Sequence, residues 1–359
     1  MSWFTESQPG WLHRFSCNVL KSGAVPRHVA FIMDGNRRYA KQMGYASVID
    51  GHLAGFEKLS QTLEWCRDLD ICEVTVYAFS IENFKRSEDE VSGIMELARE
   101  KFKVLLGEKN KLDEYRVHIR FFGNLDLLPQ DLQQLTAEIS LATRENDRYF
   151  LNVCIAYTSQ DEIARAIQNI LRGVEKGLIE PEDIDENLIS HCLDTGHSPN
   201  PDLLVRTSGE CRFSDFLLWQ CAESCLYFDK VLWPEFRFWH LCYGILHYQR
   251  NLKLVKSVMG SASRTLNYTG SSLPLITSTP VESASVSYNS LTQEYIPQSL
   301  ISSGCLDRVS DTNDSSYDDS FTGTVTKKSR IGMFLKWLEQ SKLEKLRFLC
   351  EAKTPSEEE

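Results

Sequence analysis

HVAFIMDGNRRYAK, residues 28–41, decides the fold class and contains the first candidate site. Its first half is a short apolar run typical of a buried strand. Asp34 and Gly35 follow this run directly, and Arg37 and Arg38 open what reads as a helix. In α/β proteins, ligands collect at the carboxyl ends of strands, where the N–H groups of helix starts face anions. Gly35 would let the backbone approach a phosphate closely, and the two arginines would donate forked hydrogen bonds to it.

Asp34 is a candidate magnesium ligand in this setting. Mg²⁺ usually binds through one or two carboxylates together with substrate phosphates, which the neighbouring arginines would hold. The same residues also suit a plainer arrangement, in which Asp34 caps a helix and the arginines form a solvated first turn. The stretch alone leaves both interpretations open.

The rest of the chain predicts an α/β fold with a mainly parallel sheet. Short apolar runs rich in β-formers alternate with helix-length amphipathic segments, which is typical of βαβ units. The further strands are predicted at 73–79, 117–123, 150–157 and 201–207. The helices are predicted at 50–70, 88–110, 129–145, 160–176 and 235–249. The strand order does not follow from this pattern.

Two more predicted strand ends offer groups that bind anions. The strand at 73–79 is followed by Asn83, Phe84 and Arg86, and a later strand is followed by Arg206, Arg212 and Ser214. His52, which follows Gly51 in a helical segment, adds another donor that suits a phosphate. Any one of these arginines could equally form a surface ion pair. Because three strand ends each carry such groups, we predict one shared anion site.

Composition excludes several classes of protein. The chain of 359 residues has 39 Lys and Arg against 50 Asp and Glu, a net charge of −11. This argues against a non-specific nucleic-acid binder, whose affinity would come from a cationic surface, and we expect no nucleic-acid partner. The 11 cysteines form no Cys-x-x-Cys pair, which favours a reduced chain facing the cytosol. We expect neither a signal peptide nor a transmembrane span.

The hydrophobic pattern divides the chain into four parts. Residues 1–25 contain an amphipathic helix, and residues 26–255 hold the dense pattern of the main domain. Residues 261–326 are predicted to be a disordered linker, because Ser and Thr make up 25 of these 66 residues and little can be buried. Residues 329–350 predict a second amphipathic helix, which suits docking on the chain's own core, a partner helix or a membrane surface.

Four long blocks resemble the signature blocks of the cis-prenyltransferase family, in their usual order. They are HVAFIMDGNRRYAK, YAFSIENFKRS, LLVRTSGECRFSDFLLWQ and LYFDKVLWPEF, at 28–41, 77–87, 203–220 and 226–236. The resemblance covers roughly residues 10–250 and is nearest to the eukaryotic catalytic subunits. It implies a twisted, mainly parallel sheet flanked by helices, with an apolar tunnel that holds the growing product.

The resemblance also implies an activity. Members add isopentenyl diphosphate units to an allylic primer such as farnesyl diphosphate, and each new double bond is cis. In the eukaryotic branch the long-chain polyprenyl (dehydrodolichyl) diphosphate serves dolichol synthesis and protein glycosylation. Asp34 matches the Mg²⁺ ligand, and Asn83 and Arg86 match positions that assist leaving-group departure and proton removal. The residues matching the allylic diphosphate site are Gly35, Asn36, Arg37, Arg38 and His52. Those for the isopentenyl diphosphate site are Asp34, Arg38, Arg86, Arg206, Arg212 and Ser214.

Three departures from the family pattern bear on activity. Val48 stands where bacterial members have an arginine, and Cys225 stands where they have a second metal carboxylate. The Arg-x-Gly motif that single-subunit members carry near their C-terminus does not follow residues 247–251. A copy occurs about 80 residues later, at Arg330–Gly332. The eukaryotic subunits that this chain resembles receive the motif in trans from a Nogo-B-receptor-like partner, so we expect a heteromer that is weakly active alone.

The resemblance implies a location as well. Without a transmembrane segment, the chain is expected at the cytosolic face of the endoplasmic reticulum membrane, as a peripheral protein held through its partner. Two other classes stay open at this point. One is a catalytically weak or inactive binding subunit of the same fold, and the other is a phosphate-binding regulator whose Ser-rich segment carries the function.

Overall fold

The computed structural model describes Trp3, residues 10–265 and residues 326–351. Most of the predicted linker at 261–326 therefore lies outside the described residues. Its first five residues are helical, because the helix that starts at Phe238 continues to Thr265. That helix therefore extends five residues into the predicted linker.

Six parallel strands form one sheet, in the order β3-β4-β2-β1-β5-β6. The strands are β1 (His28–Ile32), β2 (Glu73–Ser80), β3 (Val117–Phe122), β4 (Tyr149–Tyr157), β5 (Leu203–Arg206) and β6 (Cys225–Phe228). The five predicted strands are all confirmed. The sixth was not predicted as a strand, because four residues at the sheet edge show no readable periodicity.

The strand order places β1 between β2 and β5. The chain leaves β1 toward β2 on one side and returns through β5 on the other. Such a change of direction opens a crevice at the carboxyl ends of the strands, which is where α/β sheets bind ligands. The residues that follow β1, beginning with Asp34, therefore lie where the topology favours a site.

Ten helices are described, and they cover both faces of the sheet. They are α1 (Trp11–Lys21), α2 (Asn36–Gln42), α3 (Val48–Asp68), α4 (Glu88–Gly107), α5 (Lys109–Tyr115), α6 (Gln130–Ala142), α7 (Ser159–Glu175), α8 (Glu186–Cys192), α9 (Phe238–Thr265) and α10 (Lys327–Glu351). The helix predicted at 88–110 ends at Gly107 as α4, and α5 begins after Glu108 and continues past the predicted end to Tyr115. The seven-residue α8 was not predicted. None of the described helices is long and apolar enough to cross a membrane.

The central strand is buried on both faces, as parallel sheets require. On one face Val29 and Phe31 join a core that includes residues of α3, α4 and α9. On the other face Ala30 and Ile32 pack in a core with Phe216. Successive side chains of a strand point to opposite faces, so the single apolar run of β1 contributes to both cores.

An apolar cavity of about 90 Å³ lies on the first of these faces. Helices α3 and α5 and the amino ends of β2, β3 and β4 line it, and Trp3 contributes to its wall. The Trp3 ring nitrogen donates a 2.9 Å hydrogen bond to the carbonyl oxygen of Lys101 in α4. The cavity is thus at the opposite end of the strands from Asp34.

The C-terminal helix α10 packs on α6 and α8. Phe334 is fully buried against Gly173 of α7, where a Cβ atom would come within 2.5 Å of the Phe334 ring. Arg330 donates to both carboxylate oxygens of Asp183, at 2.8 and 2.9 Å, and lies 3.0 Å from Glu180. Of the three uses that the sequence leaves open for this stretch, the described contacts show docking on the chain's own core.

Candidate active site

Asp34 lies between two guanidinium groups at the carboxyl end of β1. Arg206, the last residue of β5, donates a 2.9 Å hydrogen bond to Asp34 Oδ2. Nη2 of Arg38 lies 3.5 Å from Asp34 Oδ1. Burial alone would raise the pKa of Asp34, but hydrogen bonds from Arg206 and Ser208 and the charges of both arginines outweigh it and lower the pKa. The carboxylate is therefore ionised at neutral pH.

The backbone after β1 is fixed by a contact with Thr207, which follows the neighbouring strand β5. Thr207 follows β5 directly, and its hydroxyl group donates to the carbonyl oxygen of Asp34 at 2.7 Å. Gly35 caps α2 with φ 117°, in the left-handed region that favours glycine. A Cβ atom at Gly35 would also come within 3.0 Å of Leu232. Glycine is therefore required there for its backbone angles and for space.

A second group of charges surrounds Glu90, in the first turn of α4. Arg86 donates a 2.8 Å hydrogen bond to Glu90 Oε1. Nε2 of His52 lies 3.7 Å from the same oxygen, and Nη1 of Arg37 lies 3.8 Å from Oε2. One carboxylate thus contacts three of the predicted site residues, which come from α2, α3 and the turn after β2.

His52 is largely buried in this group and is neutral at pH 7. Burial first, and the charge of Arg86 second, lower its pKa to about 4, although Glu90 opposes the shift. Within the described residues, Nε2 has no hydrogen-bond partner. Val48 lies one turn earlier on α3 and is exposed, so an arginine at that position would share the face of His52.

Arg206 also organises the loop after β5. Its Nη1 atom donates to Ser214 Oγ at 2.8 Å and to the carbonyl oxygen of Arg212. Nearby, Arg38 donates to the hydroxyl and carbonyl oxygens of Ser208, at 2.5 and 3.1 Å. The side chain of Arg206 is only 3% exposed. It is therefore a fixed donor, while the Arg212 side chain is exposed and pairs with Glu210.

Asn83 lies in the short 3₁₀ helix after β2 and has a structural contact. Its side-chain oxygen accepts a 3.1 Å hydrogen bond from the backbone N–H of Ser80. Together with the Ser80 hydroxyl group this forms a capping box. Only the amide nitrogen of Asn83 is left to donate to a substrate.

Two departures noted in the sequence lie away from Asp34. Cys225 is buried and is the first residue of β6, where it pairs with Leu203. Arg206 is three rungs further along β5, about 10 Å away at the usual rise of a strand. Arg330 contacts Asp183 and Glu180, neither of which belongs to the groups around Asp34 and Glu90. The Arg330–Gly332 copy of the motif is therefore part of the α10 contact.

Reasoning from the sequence missed Glu90, Ser208 and Glu210. The spacing of Arg86 and Glu90, four residues apart at a helix start, was a usable signal. Ser208 and Glu210 carry no such signal, because they reach Arg38 across 170 residues of chain or more.

The family comparison agrees with this geometry. A prenyltransferase family model, described as undecaprenyl diphosphate synthase, matches residues 32–255. This range includes every predicted site residue. The chain is a prenyltransferase of the undecaprenyl diphosphate synthase family. The resemblance to cis-prenyltransferases is thereby confirmed.

Individual relatives of this prenyltransferase are named for the synthesis of dehydrodolichyl and undecaprenyl diphosphates. The dehydrodolichyl diphosphate synthase complex subunits of Mus musculus and Homo sapiens are each 55% identical over 251 residues, which is 70% of this chain and 75% of theirs. A tritrans,polycis-undecaprenyl-diphosphate synthase (geranylgeranyl-diphosphate specific) of Thermococcus kodakarensis is 47% identical over 218 residues, 61% of this chain and 82% of its own.

A solved structure shares the fold of this prenyltransferase. Lavandulyl diphosphate synthase from Lavandula x intermedia, in complex with dimethylallyl diphosphate, is 31% identical with a TM-score of 0.59. The match covers 63% of this chain and 95% of that one. The predicted fold class, a parallel sheet flanked by helices, is confirmed.

Proposed function

We propose that the chain is the catalytic subunit of a dehydrodolichyl diphosphate synthase. It adds isopentenyl diphosphate to an allylic primer, farnesyl diphosphate, and forms cis double bonds. The observation that carries this proposal is the ionised Asp34 between Arg206 and Arg38, at the carboxyl ends of two neighbouring strands. The 55% identical relatives, which are named as subunits of that synthase complex, support the same activity.

The Asp34 carboxylate and the arginines beside it suit a magnesium ion that binds together with a diphosphate. No group of three or more His, Cys, Asp or Glu side chains within the described residues could hold a metal ion. Mg²⁺ does not need such a group, because one carboxylate plus phosphate oxygens and water complete its shell. Asp34 is the residue that would hold the ion. When bound, Mg²⁺ neutralises charge on the departing diphosphate.

The allylic diphosphate lies at the start of α2 in this proposal. Arg37 and Arg38 donate to its oxygens, and the backbone of Gly35 and Asn36 approaches them closely. His52 donates as a neutral imidazole, and Asn83 and Arg86 donate to the leaving oxygen. Breaking the allylic C–O bond places negative charge on the diphosphate. Fixed donors stabilise that charge more in the transition state than in the ground state.

The isopentenyl diphosphate lies beside Arg206 in the same proposal. Arg212 and Ser214 complete its pocket, with Arg38 and Arg86 between the two substrates. Arg206 is already oriented by Asp34 and Ser214, so little ordering is needed when the diphosphate binds. The new bond joins the double bond of isopentenyl diphosphate to the allylic carbon, and a proton leaves the added unit.

The growing chain extends toward the amino ends of the strands. The apolar cavity between α3, α5 and the sheet supports this direction, because it lies on the same face as the core beneath α3. Each CH₂ group removed from water favours this environment by about 0.8 kcal/mol. The completed product cannot leave readily into water for the same reason. We therefore assign the enzyme to the endoplasmic reticulum membrane, as a peripheral protein on the cytosolic face.

The chain works with a Nogo-B-receptor-like subunit in this proposal. Arg330 of the only copy of the Arg-x-Gly motif in the sequence is engaged by Asp183 and Glu180, which supports a motif supplied by another chain. The names of the mammalian relatives, which call them subunits of a complex, are consistent with this.

Incorporation of radiolabelled isopentenyl diphosphate tests the activity. Purified chain, with and without a Nogo-B-receptor-type subunit, is supplied with farnesyl diphosphate and Mg²⁺. We expect long-chain product with both subunits, little from the chain alone, and none with Asp34→Ala. Asp147→Ala, which removes an exposed carboxylate, is the matched control and should leave the rate unchanged. Binding of isopentenyl diphosphate without turnover in every combination would favour the inactive binding subunit instead.

A further inference from the structure

Residues 213–217, which we call the Ser214 segment, have an unusual backbone. Ser214, Asp215 and Leu217 have φ values of 51°, 58° and 46°. All three lie in the left-handed region, where a side chain crowds the backbone and residues other than glycine are unfavourable. Such a conformation persists only when the surrounding structure holds it in place.

The start of α7 holds the second half of the Ser214 segment. The backbone N–H of Ser159 donates to the carbonyl oxygen of Asp215 at 2.8 Å. The hydroxyl oxygen of Ser159 accepts a 2.8 Å hydrogen bond from the N–H of Leu218. These contacts fix the second half of the segment, and they leave Ser214 to be held by other groups.

Ser214 is held from two sides. Its hydroxyl oxygen accepts the 2.8 Å hydrogen bond from Arg206. On the other side, the hydroxyl group of Tyr77 lies 3.2 Å from the carbonyl oxygen of Ser214 and 3.1 Å from that of Tyr157, and it donates its proton to this pair of acceptors. The Tyr77 ring also stacks on Phe216, with the ring centroids 4.5 Å apart and the planes at 16°.

Tyr77 itself has a firm position. It lies near the carboxyl end of β2, just before an irregularity in the pairing of β2 with β4. Phe216 is fully buried, so the stacked ring cannot shift without opening the core. Tyr77 thus connects a rigid strand to the one residue of the Ser214 segment that also contacts Arg206.

We propose that Tyr77 is a positioning residue for the isopentenyl diphosphate pocket. It holds the Ser214 carbonyl group so that the Ser214 hydroxyl group and Arg206 face the diphosphate together. The assignment rests on the proposed function, because Arg206, Arg212 and Ser214 are taken as that pocket. Tyr77 does not touch the substrate.

Loss of the Tyr77 hydroxyl group should affect one substrate selectively. In Tyr77→Phe the ring and its stacking stay, but the Ser214 carbonyl group loses a donor and the left-handed backbone can relax. We expect KM for isopentenyl diphosphate to rise about fivefold, the effect of losing one net hydrogen bond. KM for farnesyl diphosphate should stay within a factor of about two, because the Tyr77 hydroxyl group bonds to the carbonyl oxygens of Ser214 and Tyr157 and not to the Asp34–Arg38 loop.

Tyr157→Phe is the matched control. It removes a hydroxyl group from a neighbouring, fully buried tyrosine whose hydroxyl donates to Glu162 at 2.6 Å and lies 3.4 Å from the Ser159 hydroxyl group, rather than bonding to Ser214. This variant should lose more stability than Tyr77→Phe, since Glu162 is a buried carboxylate. Its KM for isopentenyl diphosphate should nevertheless be unchanged. If both variants raise that KM equally, the effect follows stability and the proposal is overturned.

A double-mutant cycle with Ser214→Ala provides the second measurement. Without the Ser214 hydroxyl group there is less for Tyr77 to position, so Tyr77→Phe should raise KM less in that background than in the wild type. Full additivity would overturn the proposal. Failure of the proposed function would look different, because the wild-type complex would then incorporate no isopentenyl diphosphate and no KM could be measured.

Discussion

Gly55 of α3 lies in direct contact with Asn36, the first residue of α2. A Cβ atom at Gly55 would overlap Oδ1 of Asn36, and it would lie 3.1 Å from the Trp233 ring. The ring nitrogen of Trp233 donates a 2.7 Å hydrogen bond to the Gly55 carbonyl oxygen, so the helix cannot move away at this point. The absence of a side chain at Gly55 thus determines where the loop after Asp34 can lie.

Gly55→Ala should therefore weaken both stability and the use of the allylic substrate. We expect a loss of about 1–3 kcal/mol in the free energy of unfolding, the usual effect of an overpacked core. KM for farnesyl diphosphate should rise, because Asn36 must be displaced. Urea unfolding and steady-state kinetics measure the two effects. Gly107→Ala is the control, since nothing lies within 4 Å of a Cβ atom there. An unchanged KM in Gly55→Ala would show that the position of Asn36 does not matter for binding.

Arg206→Lys should lower activity strongly even though it keeps the charge. Arg206 donates to Asp34, to Ser214 and to the carbonyl oxygen of Arg212 from one planar group, and a lysine ammonium cannot reproduce that geometry. We expect kcat/KM for isopentenyl diphosphate to fall about 100-fold or more, as for the loss of a preorganised donor. Arg116→Lys, at an exposed ion pair with Asp147, is the control. If kcat/KM falls less than about threefold in Arg206→Lys, which is roughly the experimental scatter, the forked contact of Arg206 is not needed for the reaction.

The sequence predicted those parts of the site that depend on short segments. The apolar run at 28–33 and the residues that follow it form a strand, a turn and a helix start, so local pattern and topology agree for Asp34 and Arg38. The contacts of Tyr77 could not be predicted in this way. Its partner Ser214 is 137 residues later, and which tyrosine faces that loop depends on the strand order. Since the order does not follow from the sequence pattern, neither does the contact.

The edges of elements were predicted least well, also for physical reasons. The break at Glu108 has no proline to mark it, so the predicted helix continued through it to residue 110 and the rest of α5 was not predicted. Helix α9 continues to Thr265 although Ser and Thr are frequent there, because those residues lower helix propensity only slightly.

Glu90→Ala should lower kcat about tenfold, since Arg86, His52 and Arg37 would lose the carboxylate that they share. Glu90→Gln keeps an acceptor for Arg86 and should recover much of the rate. Glu88→Ala, in the same helical turn but exposed, is the control. Equal rates for Glu90→Ala and the wild type would contradict a role for Glu90 in orienting these donors.

The free energy of unfolding should decrease as the pH is lowered, because of His52. Its pKa is about 4 in the folded chain, because of burial first and the charge of Arg86 second, and about 6.5 when unfolded. The unfolded chain therefore binds more protons between these values, and stability is lost as the pH falls from about 6.5 to about 4. The contribution is at most about 3.5 kcal/mol, since each pKa unit corresponds to about 1.4 kcal/mol. In urea unfolding at pH 7.5 and pH 5, His52→Gln should lose less stability than the wild type. An identical pH dependence would contradict the buried neutral imidazole.

The C-terminal helix should matter for stability and not for catalysis within this chain. Phe334→Ala empties a fully buried position beside Gly173 and should cost about 3–5 kcal/mol, seen either in global unfolding or as release of α10. Met333→Ala, at an exposed position of the same turn, should cost little. Limited proteolysis within residues 327–351 distinguishes release of the helix from global unfolding, because only the released helix is cleaved while the rest of the chain stays intact.

Arg330→Ala tests the motif itself. Arg330 contacts Asp183 and Glu180, so the variant should keep the wild-type kcat in the two-subunit complex. A fall in kcat of about 100-fold, the size expected for a lost transition-state donor, would show that Arg330 takes part in the reaction.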